Sequence, residues 1–371
     1  MTAQEIKQLK VIPSLNGLRA ISVLLVLVSH LQHTGGLPEY YEPIVKKFIG
    51  LGSSGVYFFF IISGFLITHL LIREYQFSNT IDFRKFYVRR FLRLAPVLVL
   101  YLFAVGLFDF FSAELFISAT EYIEALFYLS NLDIGYWSNI HITYTKMLRH
   151  FWSLAAEEQF YLIWPIVLFF VIRKKYFKYI IPILLLIAFT GTTLSGGLLH
   201  LHNETHISIL YIIGKVLSSF DGFAIGCLIG ILFHKKPEWI NKFKGHSVVC
   251  SIAFLLLIAT TLDFNFGFVE SIPLVLFRYM CIVYILLYSL MSTGSFWYKI
   301  LNTRIFNYVG LLSYSLYVWH MFFFTWKEEP YAYQHTKFPV NLLLTVVVGI
   351  ISYELFEKKF LLLKERFRVL N

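Results

Sequence analysis

Charge is scarce in this chain: only 15% of its 371 residues are Asp, Glu, Lys or Arg, whereas soluble domains usually carry about 25%. Hydrophobic residues make up 58% of the chain, and its mean hydropathy is +0.68. This composition excludes an ordinary soluble domain and predicts an all-α integral membrane protein with many spans. The net charge of +10 would indicate nucleic acid in a soluble protein. We expect no nucleic-acid partner here, because Lys and Arg collect on the cytoplasmic side of membrane proteins.

Cysteine is also rare. The three cysteines, Cys227, Cys250 and Cys281, all fall in apolar segments, and their odd number argues against a disulfide framework. Residues 1–10 are polar and the apolar segment after them has no small-residue cleavage pattern, so we expect no cleaved signal peptide. No Pro/Ser-rich linker interrupts the chain. We therefore expect residues 1–371 to form a single membrane domain without an appended soluble domain.

Common metal and nucleotide motifs are missing too. The sequence has no HExxH, paired CxxC, Gly-rich phosphate loop or GxSxG elbow. Three histidines, His200, His202 and His206, share one predicted outer loop. A short loop between two spans seldom provides the fixed geometry and supporting contacts that a metal ion needs. We therefore expect no metal.

Long apolar stretches dominate the chain instead. We predict about ten transmembrane helices, at 12–33, 52–72, 94–112, 152–172, 180–199, 207–233, 246–263, 270–291, 305–325 and 338–356. Of the 32 Lys and Arg residues, 23 fall on one side of this topology and 6 on the other, while Arg19, Lys215 and Arg278 lie within segments. The positive-inside rule then places both termini in the cytoplasm.

The longest outer connection runs from Ser112 to Phe151. We predict a short re-entrant or interfacial helix at about Tyr122 to Asn131, because that piece is too short to span a membrane. This connection can offer a surface to a polar substrate. Alternatively, it is a cap whose aromatic residues lie at the level of the lipid head groups.

Two ionisable residues interrupt the first apolar segment, Arg19 and His30. They are eleven residues apart, or about three helical turns, so they lie on one stripe with His30 about 16 Å further along the axis. This places Arg19 near the cytoplasmic end and His30 near mid-depth. Ionisable groups in a membrane segment are functional candidates. The alternative is that Arg19 reaches the head groups and His30 satisfies a neighbouring helix.

A second basic feature precedes the third segment. Arg89, Arg90 and Arg93 lie within one helical turn of each other, just before an apolar run. Guanidinium groups suit bidentate contact with phosphate, so the cluster can hold a phosphorylated cofactor. The alternative is an anchor that binds lipid phosphates.

Small residues mark the second segment, and carboxylates mark the fourth. Gly55, Ser63 and Gly64 predict close helix packing. In the fourth segment, Ser153 is a potential helix cap, and Glu157 with Glu158 would complement the helix dipole. A glutamate at the outer mouth can instead orient a hydroxyl, remove its proton or fix a histidine tautomer.

Five blocks of the sequence resemble, in order, the signature blocks of acyltransferase family 3. They are Leu15-Asn16-Gly17-Leu18-Arg19-Ala20 with Ser29-His30, Gly55 to Ile67, Arg89 to Pro96, Trp152-Ser153-Leu154 with Glu157 to Tyr161, and Ser313 to His320. Asn16 stands where that family usually has Asp, and Ala155 and Ala156 stand where it usually has Val or Ser.

The resemblance implies a multi-pass enzyme of the bacterial inner membrane. Its members move an acyl group, most often acetyl, from cytoplasmic acyl-CoA to a hydroxyl of a cell-surface or lipid-linked glycan. By similarity, His30 is catalytic, Arg19 is its partner, and Arg90 and Arg93 form the arginine pair. We assign further contacts by position: Arg89 with the donor, Glu157 beside the reaction centre, and Trp152, Ser153 and Glu158 with the acceptor.

The chemistry of the segments fits this assignment. A thioester needs a base or nucleophile of near-neutral pKa, and His30 can either deprotonate the acceptor or carry the acyl group. A transporter that flips a lipid-linked or polar substrate unchanged is the alternative, although no internal repeat is evident. We expect Lys215, Asp221 and Arg278 to pair between helices. The sequence leaves open any chemical role of Asp221, Arg278 and His320.

Overall fold

The computed structural model describes residues 12–31, 34–37, 40–111, 117–132, 146–194, 209–262, 272–324 and 336–367. Every regular element in these ranges is a helix, which confirms the all-α prediction. The helices are α1 (Leu15–His30), α2 (Glu42–Lys46), α3 (Leu51–Ser78), α4 (Phe83–Phe111), α5 (Ala119–Leu126), α6 (Lys146–Arg149), α7 (Phe151–Arg173), α8 (Phe177–Thr193), α9 (Ile209–Lys235), α10 (Pro237–Asn241), α11 (Ser247–Thr261), α12 (Ile272–Met291), α13 (Phe296–Leu301), α14 (Arg304–Phe323), α15 (Val340–Ile351) and α16 (Lys358–Glu365). A π-helical stretch, Ser352–Glu357, joins α15 to α16.

Each of the ten predicted segments corresponds to a helix. Within the described ranges, six stretches are long and apolar enough to cross a membrane: Glu42–Ser78, Phe83–Phe111, Met147–Arg173, Val216–Lys235, Ile272–Met291 and Val340–Glu365. Three more, α1, α8 and α11, are apolar but shorter. The chain is therefore an integral membrane protein, while the count of ten spans and the cytoplasmic termini stay predictions.

Helix α3 lies at the centre of the bundle and packs against α1, α7 and α9. Its glycines permit this close approach. A Cβ atom on Gly55 would lie 2.6 Å from the carbonyl oxygen of Ser22 in α1. Gly64 faces Gly226 of α9, where each glycine would collide with the other helix's backbone if it carried a Cβ. The predicted packing role of Gly55 and Gly64 is confirmed.

Local signals explain where two helices begin. The Asp82 carboxylate accepts the backbone N–H of Lys85 at 2.9 Å, just before α4, and this hydrogen bond lowers the pKa of Asp82. Helix α5 begins after Ser118, which forms a capping box with Glu121. The short helix predicted in the outer connection is thus present, at Ala119–Leu126, slightly earlier than expected.

His30 is the last residue of α1, and its expected position near mid-depth of the membrane stays a prediction. The expected helix cap at Ser153 is wrong. Helix α7 begins at Phe151, so Ser153 lies inside its first turn and is not the cap. Its hydroxyl donates to the carbonyl of His150 at 3.2 Å instead.

Candidate active site

A cavity opens between α1, α3, α4, α7 and α14. The empty space between these helices is about 570 Å³, part of which is open to solvent. Its walls include Arg19, Arg93, Ser153 and Glu157. Residues predicted as separate features of three distant segments therefore meet in one place.

Glu157 is held at the cavity wall by two hydroxyl groups. Ser63 of α3 donates to its carboxylate at 2.7 Å, and Tyr161, one turn further along α7, donates to the same oxygen. The Tyr161 hydroxyl also lies 3.2 Å from the Ser63 oxygen. The packing interpretation of Ser63 was thus incomplete, and Glu157 shares the cavity with Arg19 and Arg93 instead of lying apart at the outer mouth.

Four cations gather at this cavity. The Arg90 guanidinium lies over the Tyr161 ring, 4.8 Å from its centroid. Arg19 is within electrostatic range of both Arg90 and Arg93, and so is Lys364 of α16. Within the part of the chain that the structure describes, no carboxylate oxygen lies within 4.0 Å of any of these four side chains. Half-buried cations that cluster without ion pairs favour an anionic ligand.

Lys364 was missed by the sequence analysis. Leu361 packs against the core and Lys364 follows three residues later on the same helix, so both lie on the face of α16 that meets α4. The sequence held one signal for this position, namely an apolar and a basic residue three apart in an otherwise charged C-terminal stretch. This spacing does not show which residues Lys364 approaches. The packing of α16 on α4 shows that they are Arg90 and Arg93.

Arg89 points elsewhere. One of its terminal nitrogens lies 3.7 Å from the Glu74 carboxylate, and the other donates to the carbonyl of Phe367 at 2.7 Å. Arg89 therefore ties α4 to α3 and to the residues after α16. The structure brings Arg90 and Arg93 together with Arg19 but places Arg89 in a separate contact.

His30 lies outside the cavity wall, half-buried at the end of α1. Its Nδ1 is 2.9 Å from the carbonyl oxygen of Val26. Since a carbonyl only accepts, Nδ1 is the donor, and Nε2 carries the lone pair of the neutral ring. The end of the ring that can act as a base or nucleophile is thereby fixed.

Tyr317 of α14 lines the cavity and packs against His320, the neighbour of His30. Its hydroxyl lies 2.5 Å from Ser153 Oγ at the cavity wall and donates to the carbonyl of His150 at 3.0 Å. On its other side, the ring of Tyr317 is 5.4 Å from that of His320, which is 4.9 Å from the ring of His30. Tyr317, His150 and His320 had no assigned role, although polar groups in an apolar helix are the signal that singled out Arg19 and His30.

The remaining predicted acceptor residues lie near the cavity but not in its wall. Trp152 is half-buried against Phe60, with ring centroids 6.1 Å apart. Glu158 is half-buried, and its Oε1 has no hydrogen-bond partner among the described residues. The neighbouring Gln159 exchanges two hydrogen bonds with Asn131, at 2.8 and 2.9 Å, and so fixes the outer connection on α7.

The other polar intrusions have structural partners. Asp221 accepts from the Tyr279 hydroxyl at 2.5 Å, and Arg278 donates to the Thr260 carbonyl at 3.2 Å, so both link helices as expected. The Lys215 side chain and the three loop histidines at 200, 202 and 206 lie outside the described residues. Across the ranges that are described, no group of His, Cys, Asp and Glu could hold a metal ion.

Comparison with known proteins gives one consistent result. A family model described as an acyltransferase domain matches residues 12–354. The O-acetyltransferase OatA of Staphylococcus aureus (strain NCTC 8325 / PS 47) is 28% identical over 368 residues, which cover 93% of this chain and 56% of that protein. A protein of strain COL with a provisional O-acetyltransferase name is 28% identical over 399 residues, 98% of this chain and 59% of the relative.

The chain thus spans less than three-fifths of the length of these relatives. No solved structure gave a significant match. The family match covers nearly the whole helical bundle, including Arg19, His30, the arginine pair and Glu157. The chain belongs to acyltransferase family 3, a family of membrane acyltransferases whose curated members include O-acetyltransferases.

Proposed function

We propose that the protein transfers an acyl group, acetyl in the first instance, from cytoplasmic acyl-CoA to a hydroxyl of a cell-surface or lipid-linked glycan. The family and the names of its relatives support O-acyl transfer in a membrane. One observation carries the finer proposal. Four cations that form no ion pair with any described carboxylate cluster around Arg19 near one end of α1, and an imidazole of fixed tautomer lies at the other end.

The donor class follows from the cations. Coenzyme A is a polyanion whose phosphates suit guanidinium forks, and the stacking of Arg90 on Tyr161 leaves its N–H groups at the edge for such contacts. Arg93 and Arg19 face the same cavity. Anion binding there would add to the counter-charge of Glu157 and Glu158, which lie within electrostatic range of Arg90 without an ion pair among the described residues.

The distance to His30 follows from helix geometry. Arg19 and His30 are eleven residues apart on one continuous helix, which corresponds to about 16 Å. An extended pantetheine arm is of comparable length, so a thioester can approach His30 while the phosphates stay with the arginines. A polar acceptor would approach from the side of α5, which Gln159 holds against α7.

His30 Nε2 is the reacting atom in this proposal. In direct transfer it takes the proton of the acceptor hydroxyl as the oxygen attacks the thioester carbon, the C–S bond breaks, and coenzyme A leaves as a thiolate. In stepwise transfer, Nε2 itself attacks that carbon and the thiolate leaves. The acyl group then passes to the acceptor oxygen as the C–N bond breaks, and the proton of the acceptor hydroxyl goes to the thiolate of coenzyme A.

Labelled transfer tests the proposal. Purified protein in lipid nanodiscs is incubated with radiolabelled acetyl-CoA and cell-envelope glycan, and label in the glycan is counted. We expect wild type and His246→Gln, an exposed histidine, to transfer label, and His30→Gln to lose it at least about a hundredfold. Wild-type transfer by folded His30→Gln would contradict the role of His30.

Mass spectrometry of surface glycans with and without the gene tests the reaction class. An acyl mass difference supports the enzyme, whereas unmodified glycan on the wrong side of the membrane would support a transporter. We further propose that one membrane domain is sufficient for the reaction, which the same transfer assay on residues 1–371 measures.

A further inference from the structure

His320 is a buried imidazole with an unused nitrogen. Its side chain is 0% exposed, and its Nδ1 lies 2.5 Å from the carbonyl oxygen of Tyr317. Because that carbonyl can only accept, Nδ1 is the donor and Nε2 is the acceptor of the neutral ring. Nε2 has no hydrogen-bond partner among the residues that the structure describes. A buried acceptor without a partner costs stability and calls for a functional explanation.

The surroundings of His320 indicate what this acceptor serves. The ring of His30 is its neighbour at 4.9 Å between centroids, with the two planes 70° apart. His150 lies on another side at 5.2 Å, anchored through Nε2 to the carbonyl of Val318 at 3.1 Å. Phe324 and Tyr317 complete the contacts at 6.1 and 5.4 Å. Among these neighbours, only His30 gains a proton in the proposed reaction.

We propose that His320 is a positioning residue that accepts a hydrogen bond from His30 when His30 is protonated. This inference rests on the proposed function, in which His30 Nε2 takes the proton of the acceptor hydroxyl. The new N–H then needs an acceptor. The buried ring of His320, whose Nε2 has no hydrogen-bond partner among the described residues, packs edge-on against the ring of His30.

The step is balanced in protons. The acceptor hydroxyl loses its proton to His30 as the new C–O bond forms, and the thiolate of coenzyme A leaves. His320 stays neutral and only shares the proton of the His30 imidazolium. When the products leave, the proton passes to the thiolate or to water, and both rings return to their starting tautomers.

Substitution of His320 by asparagine or by glutamine tests the roles of its two nitrogens one at a time. The amide of Asn reaches about as far as Nδ1, so His320→Asn keeps the anchor to Tyr317 and removes the acceptor beside His30. The amide of Gln reaches about as far as Nε2, so His320→Gln keeps an acceptor there and gives up the anchor. A hydrogen bond to a charged group is worth roughly 10- to 100-fold. We therefore expect kcat to fall by that factor in H320N and by less than about threefold in H320Q, with an unchanged KM for acetyl-CoA in both.

The matched control uses His150, whose anchoring atom is Nε2. If only the bond to the backbone carbonyl mattered, the kcat of H150Q would exceed that of H150N. For the same reason, the kcat of H320N would exceed that of H320Q. A kcat of folded H320N equal to or above that of H320Q would overturn the proposal. If H320Q does not fold, H320N alone decides, because a wild-type kcat in that variant would also overturn it. Activity of H30Q would overturn the proposed function instead, so the two failures remain distinguishable.

Discussion

Ser63 gives the clearest test of a contact that the sequence analysis took for packing alone. Its hydroxyl donates to Glu157 at 2.7 Å across the interface of α3 and α7. We expect Ser63→Ala to lower kcat by about tenfold, because the carboxylate then keeps only the Tyr161 hydroxyl and can turn within the cavity. The measurement is kcat in the transfer assay, together with a melting temperature in detergent.

The matched control is Ser54→Ala, which removes a buried hydroxyl from the same helix. Its oxygen has no hydrogen-bond partner among the described residues, so we expect kcat to stay within about twofold of wild type. If Ser63→Ala behaves like Ser54→Ala, then Ser63 only packs and the orientation of Glu157 does not depend on it.

Arg93 is the best single test of donor binding, because it lines the cavity without an ion pair to any described carboxylate. We expect Arg93→Gln to raise the KM for acetyl-CoA by roughly 10- to 100-fold with a smaller change in kcat, since the lost contact is to a part of the donor that does not react. Arg93→Lys keeps the charge but not the bidentate fork, so we expect its KM for acetyl-CoA to lie between those of wild type and R93Q. Arg84→Gln, an exposed arginine of the same helix, is the control, and a KM as high as that of R93Q in this variant would indicate a non-specific charge effect.

At the scale of elements, α16 brings a basic residue from the last part of the described chain to a site built by α1, α4 and α7. Lys364 lies within electrostatic range of Arg90 and Arg93, and the bond from Arg89 to the Phe367 carbonyl fixes the end of this helix on α4. We expect Lys364→Gln to raise the KM for acetyl-CoA by about three- to tenfold. Lys359→Gln, which removes an exposed charge from another face of α16, is the control.

The same variant separates phosphate binding from general destabilisation. Acetyl-pantetheine lacks the nucleotide phosphates, so a residue that binds phosphate has no effect on its KM. We expect the ratio of KM values between K364Q and wild type to fall to about one with acetyl-pantetheine. An equal loss with both donors would show that α16 acts through packing.

The positions of the helices could be predicted from the sequence more fully than the contacts between residues at the candidate active site. Apolar runs of about twenty residues predict membrane helices by length alone. A helix lies at each of the ten predicted segments, and six stretches of the described residues are long and apolar enough to cross a membrane. The observed end of α1 at His30 lies three residues before the predicted end of the first segment. The meeting of Glu157 with Arg19 was not predictable either, since helices that are apolar on every face carry no sequence record of which face meets which neighbour. Gly64 indicated close packing, but not that it packs against Gly226 of α9.

For the whole molecule, the proposal requires that the two ends of α1 face opposite compartments. The cation cluster must be open to cytoplasmic coenzyme A, and His30 must be reached by an acceptor from outside. The distribution of Lys and Arg predicts this orientation, because 23 of these 32 residues lie on the side of the termini. Sidedness is therefore the property on which the donor and acceptor assignments jointly depend.

Cysteine labelling measures that sidedness directly. The native thiols of Cys227, Cys250 and Cys281 are buried, at 1%, 1% and 6% exposure, so a single added cysteine at an exposed position dominates the signal. We expect Tyr40→Cys and Ala119→Cys, both at exposed positions on the predicted outer side, to react with a membrane-impermeant maleimide in intact cells. Arg84→Cys and Lys359→Cys, exposed on the predicted inner side, should react only after permeabilisation. Reaction of all four in intact cells, or the reverse pattern, would place the arginines outside and remove cytoplasmic acyl-CoA as the donor, whatever the activity of the His30 variants.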